Sequence, residues 1–222
     1  MEARLIDVMG TDLSVVNAAR VSFNKESFYN FNEGFADLEE RDSKLIKYLA
    51  NHNHFTPFTH CTITMRERVP IFVARQRFKH VIGFSYNEIS RRYVSYKAET
   101  YTPDEWRKAA SNKKQGSSDE TVDINPNNQI VDIYQQAIDS ALWTYDRLIQ
   151  KGVCPEQARM VLPQSTYTEY YVTGSLYAWA RAFNLRSSSD AQKEIQDLAW
   201  KWDEILMEKF PYSWVALTEA GV

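Results

Sequence analysis

Pro70 to Tyr96 reads PIFVARQRFKHVIGFSYNEISRRYVSY, and the organisation of the whole chain turns on how this stretch divides. Pro70 suits the first turn of a helix, where its missing N–H leaves no bond unmade. Ile71, Ala74 and Phe78 follow at helical spacing up to a stop near Gly83. Within such a helix Arg75 would lie over Lys79 and Gln76 over His80, a polar strip backed by apolar residues. From Ser85 to Tyr93 the helical repeat disappears and hydroxyl, amide, carboxylate and guanidinium groups crowd together, which reads as an active-site loop. A solvated helix and a polar surface loop would also be charged, but such surfaces mix Lys with Glu. This stretch sets five cations, Arg75, Arg77, Lys79, Arg91 and Arg92, against the single carboxylate of Glu88. That balance suits a bound phosphate.

Two divisions of the stretch invite comparison with a known signature. Arg75-Gln76-Arg77 is followed by seven residues and Ser85; Lys79-His80-Val81 is followed by Asn87-Glu88-Ile89-Ser90-Arg91-Arg92-Tyr93. Upstream lie Asp7-Val8-Met9-Gly10, Ala18-Ala19-Arg20-Val21-Ser22-Phe23 and His52-Asn53-His54-Phe55-Thr56-Pro57-Phe58-Thr59-His60. Downstream lie Gln157-Ala158-Arg159-Met160-Val161-Leu162-Pro163 and Asn184-Leu185-Arg186. In this order the segments resemble the flavin-dependent thymidylate synthases, the ThyX family. That family's signature is Arg-His-Arg, seven residues and Ser, inside a run ending Asn-Glu-x-Ser-x-Arg-Tyr. The first division keeps the spacing and loses the histidine. The second keeps His80 and the run, at the cost of one extra residue and both arginines, and Ala74-Arg75-Gln76 upstream favours it. The resemblance spans most of the chain except roughly residues 104–128.

At 222 residues, 44% of them hydrophobic, the chain can build a core and is expected to form one domain over 1–222 that oligomerises. A net charge of −3 argues against a nucleic-acid or anionic-membrane surface, so the cations act locally. Cys61 and Cys154 lie far apart and form no Cys-x-x-Cys pattern, which suits a reducing compartment. No segment approaches the ~20 apolar residues of a membrane span. A cytoplasmic protein is expected.

Along the chain, alternation over 2–9 predicts a strand, and Thr11 or Asp12 can cap a helix through Arg20 with Ser22 at its exit. Glu39 to Asn51 is an amphipathic helix. Thr59 to Val69 alternates as a strand with one buried face. Trp106 to Ala110 is expected as a short helix and 111–128 as an exposed, mobile loop. Ile130 to Ile149, with Ile133, Ala137, Ala141, Tyr145 and Leu148, reads as a core helix. A short helix from Pro155, a strand over Gln164 to Thr173 and helices over Ser175 to Leu185 and Ala191 to Phe210 complete the chain. This order predicts an α/β fold of the α+β type, one domain around a central antiparallel or mixed sheet. Without a G-x-G-x-x-G it is no Rossmann fold.

The resemblance implies an enzyme that methylates dUMP to dTMP with 5,10-methylenetetrahydrofolate as carbon donor and FAD, recharged by NADPH, as hydride carrier. Its active sites would lie at the subunit interfaces of a homotetramer. It implies phosphate binding by Gln76, the latter from a neighbouring subunit, and by Ser90, Arg92 and Arg159, with Lys79, Glu88 and Arg91 also at the substrate. Arg186 would face the pyrimidine as the catalytic cation. Micromolar binding of a nucleotide requires about 8 kcal/mol, hence several charge-assisted hydrogen bonds. The implied flavin contacts are Ser22, His54, Thr56, Lys79, His80, Val81, Asn87, Glu88, Ser175, Tyr177 and Arg181. Lys79 and Val81 replace family arginines beside the flavin diphosphate, and Arg91 or Arg181 could compensate.

Two other readings compete. The same fold could be a nucleotide- or flavin-binding regulator that lost turnover with those arginines. His52, His54 and His60 beside Cys61 could instead serve a metal-dependent hydrolase, although no helical His pair or nearby carboxylate completes a ligand set. No metal is expected. Neither cysteine sits where a nucleophile is needed, and Ser90 is expected to bind phosphate rather than attack.

Overall fold

The computed structural model describes residues 1–32, 35–90, 92, 98–110, 117–124 and 129–222. In chain order the elements are β1 (Glu2–Met9), α1 (Asp12–Arg20), a 3-10 turn (Val21–Phe23), β2 (Asn30–Asn32), β3 (Phe35–Asp37), α2 (Glu40–Asn51), α3 (Thr56–Thr59), β4 (Thr62–Pro70) and α4 (Ile71–Arg77). There follow β5 (Phe84–Glu88), β6 (Arg107–Ala109), β7 (Ser117–Thr121), α5 (Ile130–Gln150), α6 (Pro155–Ala158) with a 3-10 turn (Arg159–Val161), β8 (Tyr167–Ser175), α7 (Leu176–Arg186), α8 (Lys193–Lys209) and α9 (Pro211–Glu219). No helix among the described residues is long and apolar enough to cross a membrane.

The central sheet is antiparallel throughout, in the order β1-β4-β8-β5. β4 and β8 pair along their full length, from Thr62 opposite Ser175 to Pro70 opposite Tyr167. Period-two alternation turns Ile63, Met65 and Val69 inward, fully buried, while Thr62, Thr64, Arg66 and Arg68 face the other way. Helices α7, α8 and α9 close the buried face with Trp179, Trp202 and Trp214, each without exposure. The α+β reading with an antiparallel sheet holds.

The stretch read as an active-site loop begins instead as the edge strand β5, because Phe84 and Tyr86 alternate inward against Trp179 and Tyr170. Gly174 on β8 makes this possible: a Cβ there would come within 2.4 Å of the Phe84 ring. Helix α4 is also shorter than expected. It ends at Arg77, and Lys79 and His80 lie in the turn that Gly83 completes at φ +80°, so no helical strip of Arg75, Lys79, Gln76 and His80 forms.

Three further expectations change. Trp106 to Ala110 contains β6 rather than a helix, since β7 pairs with it and Arg107 Nε donates to Ser117 Oγ at 2.7 Å. Residues 111–116 and 125–128 of the expected loop lie outside the described residues, while 117–121 is β7. Helix α5 forms as predicted but buries only Ile138 and Tyr145 fully; Ile133 is 63% and Trp143 65% exposed, so it is no core helix of this chain.

Thr11 is the N-cap of α1, with its N–H donating to Ser14 Oγ at 3.0 Å. Asp12 caps a distant helix instead: its carboxylate accepts Tyr212 N at 3.0 Å and Ser213 N at 2.8 Å, the first turn of α9. This buried carboxylate ties the two ends of the chain together. Asp12→Ala is expected to lower stability by about 2 kcal/mol, as loss of a charged buried cap does. A fall in the urea midpoint at unchanged slope checks it, and an unchanged midpoint would mean that water replaces the cap.

Candidate active site

The turn from Phe78 to Gly83 passes across the first face of α7, and the two line a cavity of ≈ 260 Å³. Ser175 caps α7 by accepting Ala178 N at 3.3 Å, which sets Ala178, Arg181 and Leu185 on the cavity side. Lys79, His80 and Val81 come from the turn, Phe84 from β5, and Arg181 and Arg186 from α7. Among the described lining residues there are three cations and no carboxylate.

His80 and Arg186 are locked together. Arg186 Nε donates to His80 Nε2 at 2.8 Å, and Arg186 Nη2 donates to the Gln76 carbonyl at 3.2 Å. A ring nitrogen that accepts from a guanidinium carries no proton, so His80 is neutral with its hydrogen on Nδ1. Burial, then the charges of Arg77, Arg186 and Arg181, push the His80 pKa down to about 4. Burial and Arg77 also lower that of Arg186, which stays a cation at neutral pH.

A second cavity, ≈ 750 Å³, opens between α1, α2 and α3, and gathers Ser22, His54 and Thr56 with Phe23, Tyr48 and Phe55. Arg20 at its edge is held by the buried carboxylate of Asp42. Tyr177 on α7 reaches this region: its hydroxyl donates to Asn53 Oδ1 at 2.9 Å and its ring lies 5.3 Å from Phe55. His52 stacks on Tyr48 at 4.0 Å, and among the described residues no group of His, Cys, Asp or Glu is placed to hold a metal.

The remaining expected site residues lie apart from both cavities. Gln76 donates to Gln192 Oε1 at 2.6 Å, and Gln192 donates in turn to Glu194 at 2.8 Å. Glu88 accepts Thr168 Oγ1 at 2.5 Å, and Asn87 is exposed on the edge strand. Ser90 Oγ accepts Arg92 N at 3.3 Å, while Arg159 opens an exposed 3-10 turn after α6. Arg91 lies outside the described residues. One chain therefore assembles a cationic pocket and an aromatic pocket, and the expected phosphate ligands line neither.

Not anticipated from sequence is the layer beneath the cationic pocket. Arg77 and Glu67, both without exposure, face each other at 3.3 Å, with Tyr170 OH donating to Glu67 at 2.6 Å and Arg77 Nη1 donating to Tyr86 OH at 2.6 Å. A signal for it existed. Glu67 falls on the inward phase of β4, and Arg77 lies four residues after Val73 on the buried side of α4.

The pocket fits an anionic flavin cofactor by its donor set: Lys79 and Arg181 as cations for a diphosphate, with Val81, Ile82 and Phe84 offering apolar surface to a ring. Arg181 opens onto it from α7.

Comparison with known proteins agrees. The family model described as thymidylate synthase complementing protein matches residues 4–212. The flavin-dependent thymidylate synthase of Thermosipho melanesiensis is 40% identical over 210 residues, covering 95% of this chain and 87% of the relative. That of Thermus thermophilus is 38% identical over 216 residues, covering 97% and 75%. The crystal structure of the UMP/dUMP methylase PolB from Streptomyces cacaoi bound with 5-Br dUMP superposes with a TM-score of 0.84 at 31% identity, covering 99% of this chain and 95% of that one. With the family model matching nearly end to end and the same fold around the cationic pocket, the chain belongs to the thymidylate synthase complementing protein family.

Proposed function

We propose that this chain is a flavin-dependent thymidylate synthase that converts dUMP to dTMP. The observation that carries the reading is the Arg186–His80 pair in a pocket with three cations and no carboxylate among its described lining. A C5 methylation of the pyrimidine needs negative charge on the ring stabilised before the C5 proton leaves. A guanidinium fixed by two hydrogen bonds supplies that stabilisation without reorganising.

In this reading 5,10-methylenetetrahydrofolate donates the carbon as a methylene, and NADPH is the source of the reducing electron pair. When bound and reduced by NADPH, the flavin would supply the hydride that brings the methylene to a methyl group. Lys79 and Arg181 hold its diphosphate, His80 and Val81 its neighbouring atoms, and Ser22, His54, Thr56, Ser175 and Tyr177 the remainder, with Asn87 and Glu88 at the edge. Gln76, Ser90, Arg92 and Arg159, with Arg91, bind the nucleotide phosphate across a subunit boundary. That Gln76, Ser90, Arg92 and Arg159 line neither pocket of the single chain suits a homotetramer whose sites combine several copies, working in the cytoplasm.

Arg181→Ala is expected to weaken FAD binding about tenfold or more, the usual loss when a charge-assisted bond to phosphate goes. Titration by flavin fluorescence reads it. Unchanged affinity would leave Lys79 as the diphosphate cation and remove Arg181 from the site. The function itself is tested by incubating the protein with dUMP, FAD, NADPH and methylenetetrahydrofolate and looking for dTMP by chromatography. Its absence, with the flavin bound, would overturn the reading.

A further inference from the structure

Arg77 is a charge fully enclosed in the core. Its guanidinium carbon lies 4.4 Å from the Phe84 ring centre, 4.7 Å from those of Trp179 and Trp202, and 5.3 Å from that of Tyr86. Glu67 lies 3.3 Å from its Nε, while its buried Nη2 has no hydrogen-bond partner among the described residues. A buried ion pair of this kind stabilises no better than apolar residues of the same volume. The geometry gives the charge another task. Tyr86 OH accepts from Arg77 Nη1, so its single proton is free to donate to the His80 carbonyl at 2.8 Å or the Arg77 carbonyl at 3.3 Å. Burial pushes the Tyr86 pKa up to about 12, so the hydroxyl keeps that proton.

We propose that Arg77 is a positioning residue for the reaction: through Tyr86 it braces the turn beneath the cationic pocket and fixes the His80 ring as the acceptor that aims Arg186. Arg77 ends α4 and Tyr86 stands on β5, so the brace spans the two elements whose connection carries His80. The groups around His80 act with it. Arg77 lies below, Lys79 is beside it on the turn, and Arg181 and Arg186 face it from α7; the Glu67 carboxylate of β4 and Tyr170 of β8 are spent on Arg77 and each other. A protonated His80 would lose its acceptor nitrogen and release Arg186, so a buried cation beneath the turn protects the pair.

This inference rests on Arg186 facing the pyrimidine, and its test separates the two. Tyr86→Phe removes one oxygen and is expected to lower kcat for dTMP formation roughly 10- to 100-fold, as a misplaced catalytic group does. KM for dUMP should stay within about threefold, since uniform binding is untouched. Arg77→Met is expected to return the His80 titration, followed by NMR of the ring Cε1–H and assigned with His80→Gln, towards its ordinary value, whereas Arg77→Lys keeps it low. Wild-type kcat in Tyr86→Phe, or identical His80 titration in the Met and Lys variants, overturns the proposal. If Arg77→Met does not fold, Tyr86→Phe decides alone. A turnover-competent Arg186→Ala would remove the reading of Arg186 while the NMR titration still reported on the brace.

Discussion

Arg186→Ala is expected to lower turnover about 100- to 1000-fold, the loss found when one preorganised donor to a developing anion is removed. Arg186 is half-buried at the end of α7, and its two tethers, to His80 Nε2 and to the Gln76 carbonyl, come from the α4–β5 turn and the last turn of α4. The side chain is therefore held in place without substrate, so under the proposed role the loss is expected mainly in kcat. Arg186→Lys should recover little, because an ammonium cannot reach the histidine nitrogen and the carbonyl as a planar fork does. Steady-state kinetics in dUMP check this. A variant with raised KM and unchanged kcat would recast Arg186 as a binding residue only.

The largest effect on stability is expected at Glu67. Glu67→Ala leaves the Arg77 guanidinium without its counter-charge and the Tyr170 hydroxyl without its acceptor, both inside the core. Breaking a buried pair from one side costs about 3–5 kcal/mol, whereas replacing both partners by apolar groups is often neutral. Glu67→Leu combined with Arg77→Met is therefore expected to regain most of the stability lost by Glu67→Ala, and a urea double-mutant cycle measures the coupling. Additive losses would show that the pair does not act as a unit. The double variant should still turn over poorly, since it lacks the brace under His80.

What could be read from the sequence follows from how far each signal reaches. The β4 alternation through Ile63, Met65 and Val69 and the apolar spacing of α7 and α8 are long and regular, and those elements stand where expected. β5 was hidden because only Phe84 and Tyr86 carry its inward face, and the room for Phe84 comes from Gly174, ninety positions later in the chain. Periodicity in α5 revealed an apolar stripe but not its partner, and the exposed Ile133 leaves part of that stripe uncovered. The cationic pocket was legible in part. Lys79, His80, Val81, Arg181 and Arg186 do converge, as do Ser22, His54 and Thr56. Arg77 escaped because its charge was counted with the phosphate-binding cations of its segment, although its position four after Val73 turns it into the core. Gln76 and Ser90 make their hydrogen bonds to Gln192 and Arg92, not to each other.

The central claim is tested most directly by tritium release from dUMP labelled at C5, with FAD, NADPH and methylenetetrahydrofolate present and again with flavin omitted. Flavin-dependent release accompanied by dTMP is the result expected, and it would show that Lys79 and Val81 serve where arginines are usual. Release that ignores flavin, or none at all while dUMP still perturbs the spectrum of bound flavin, would contradict the account.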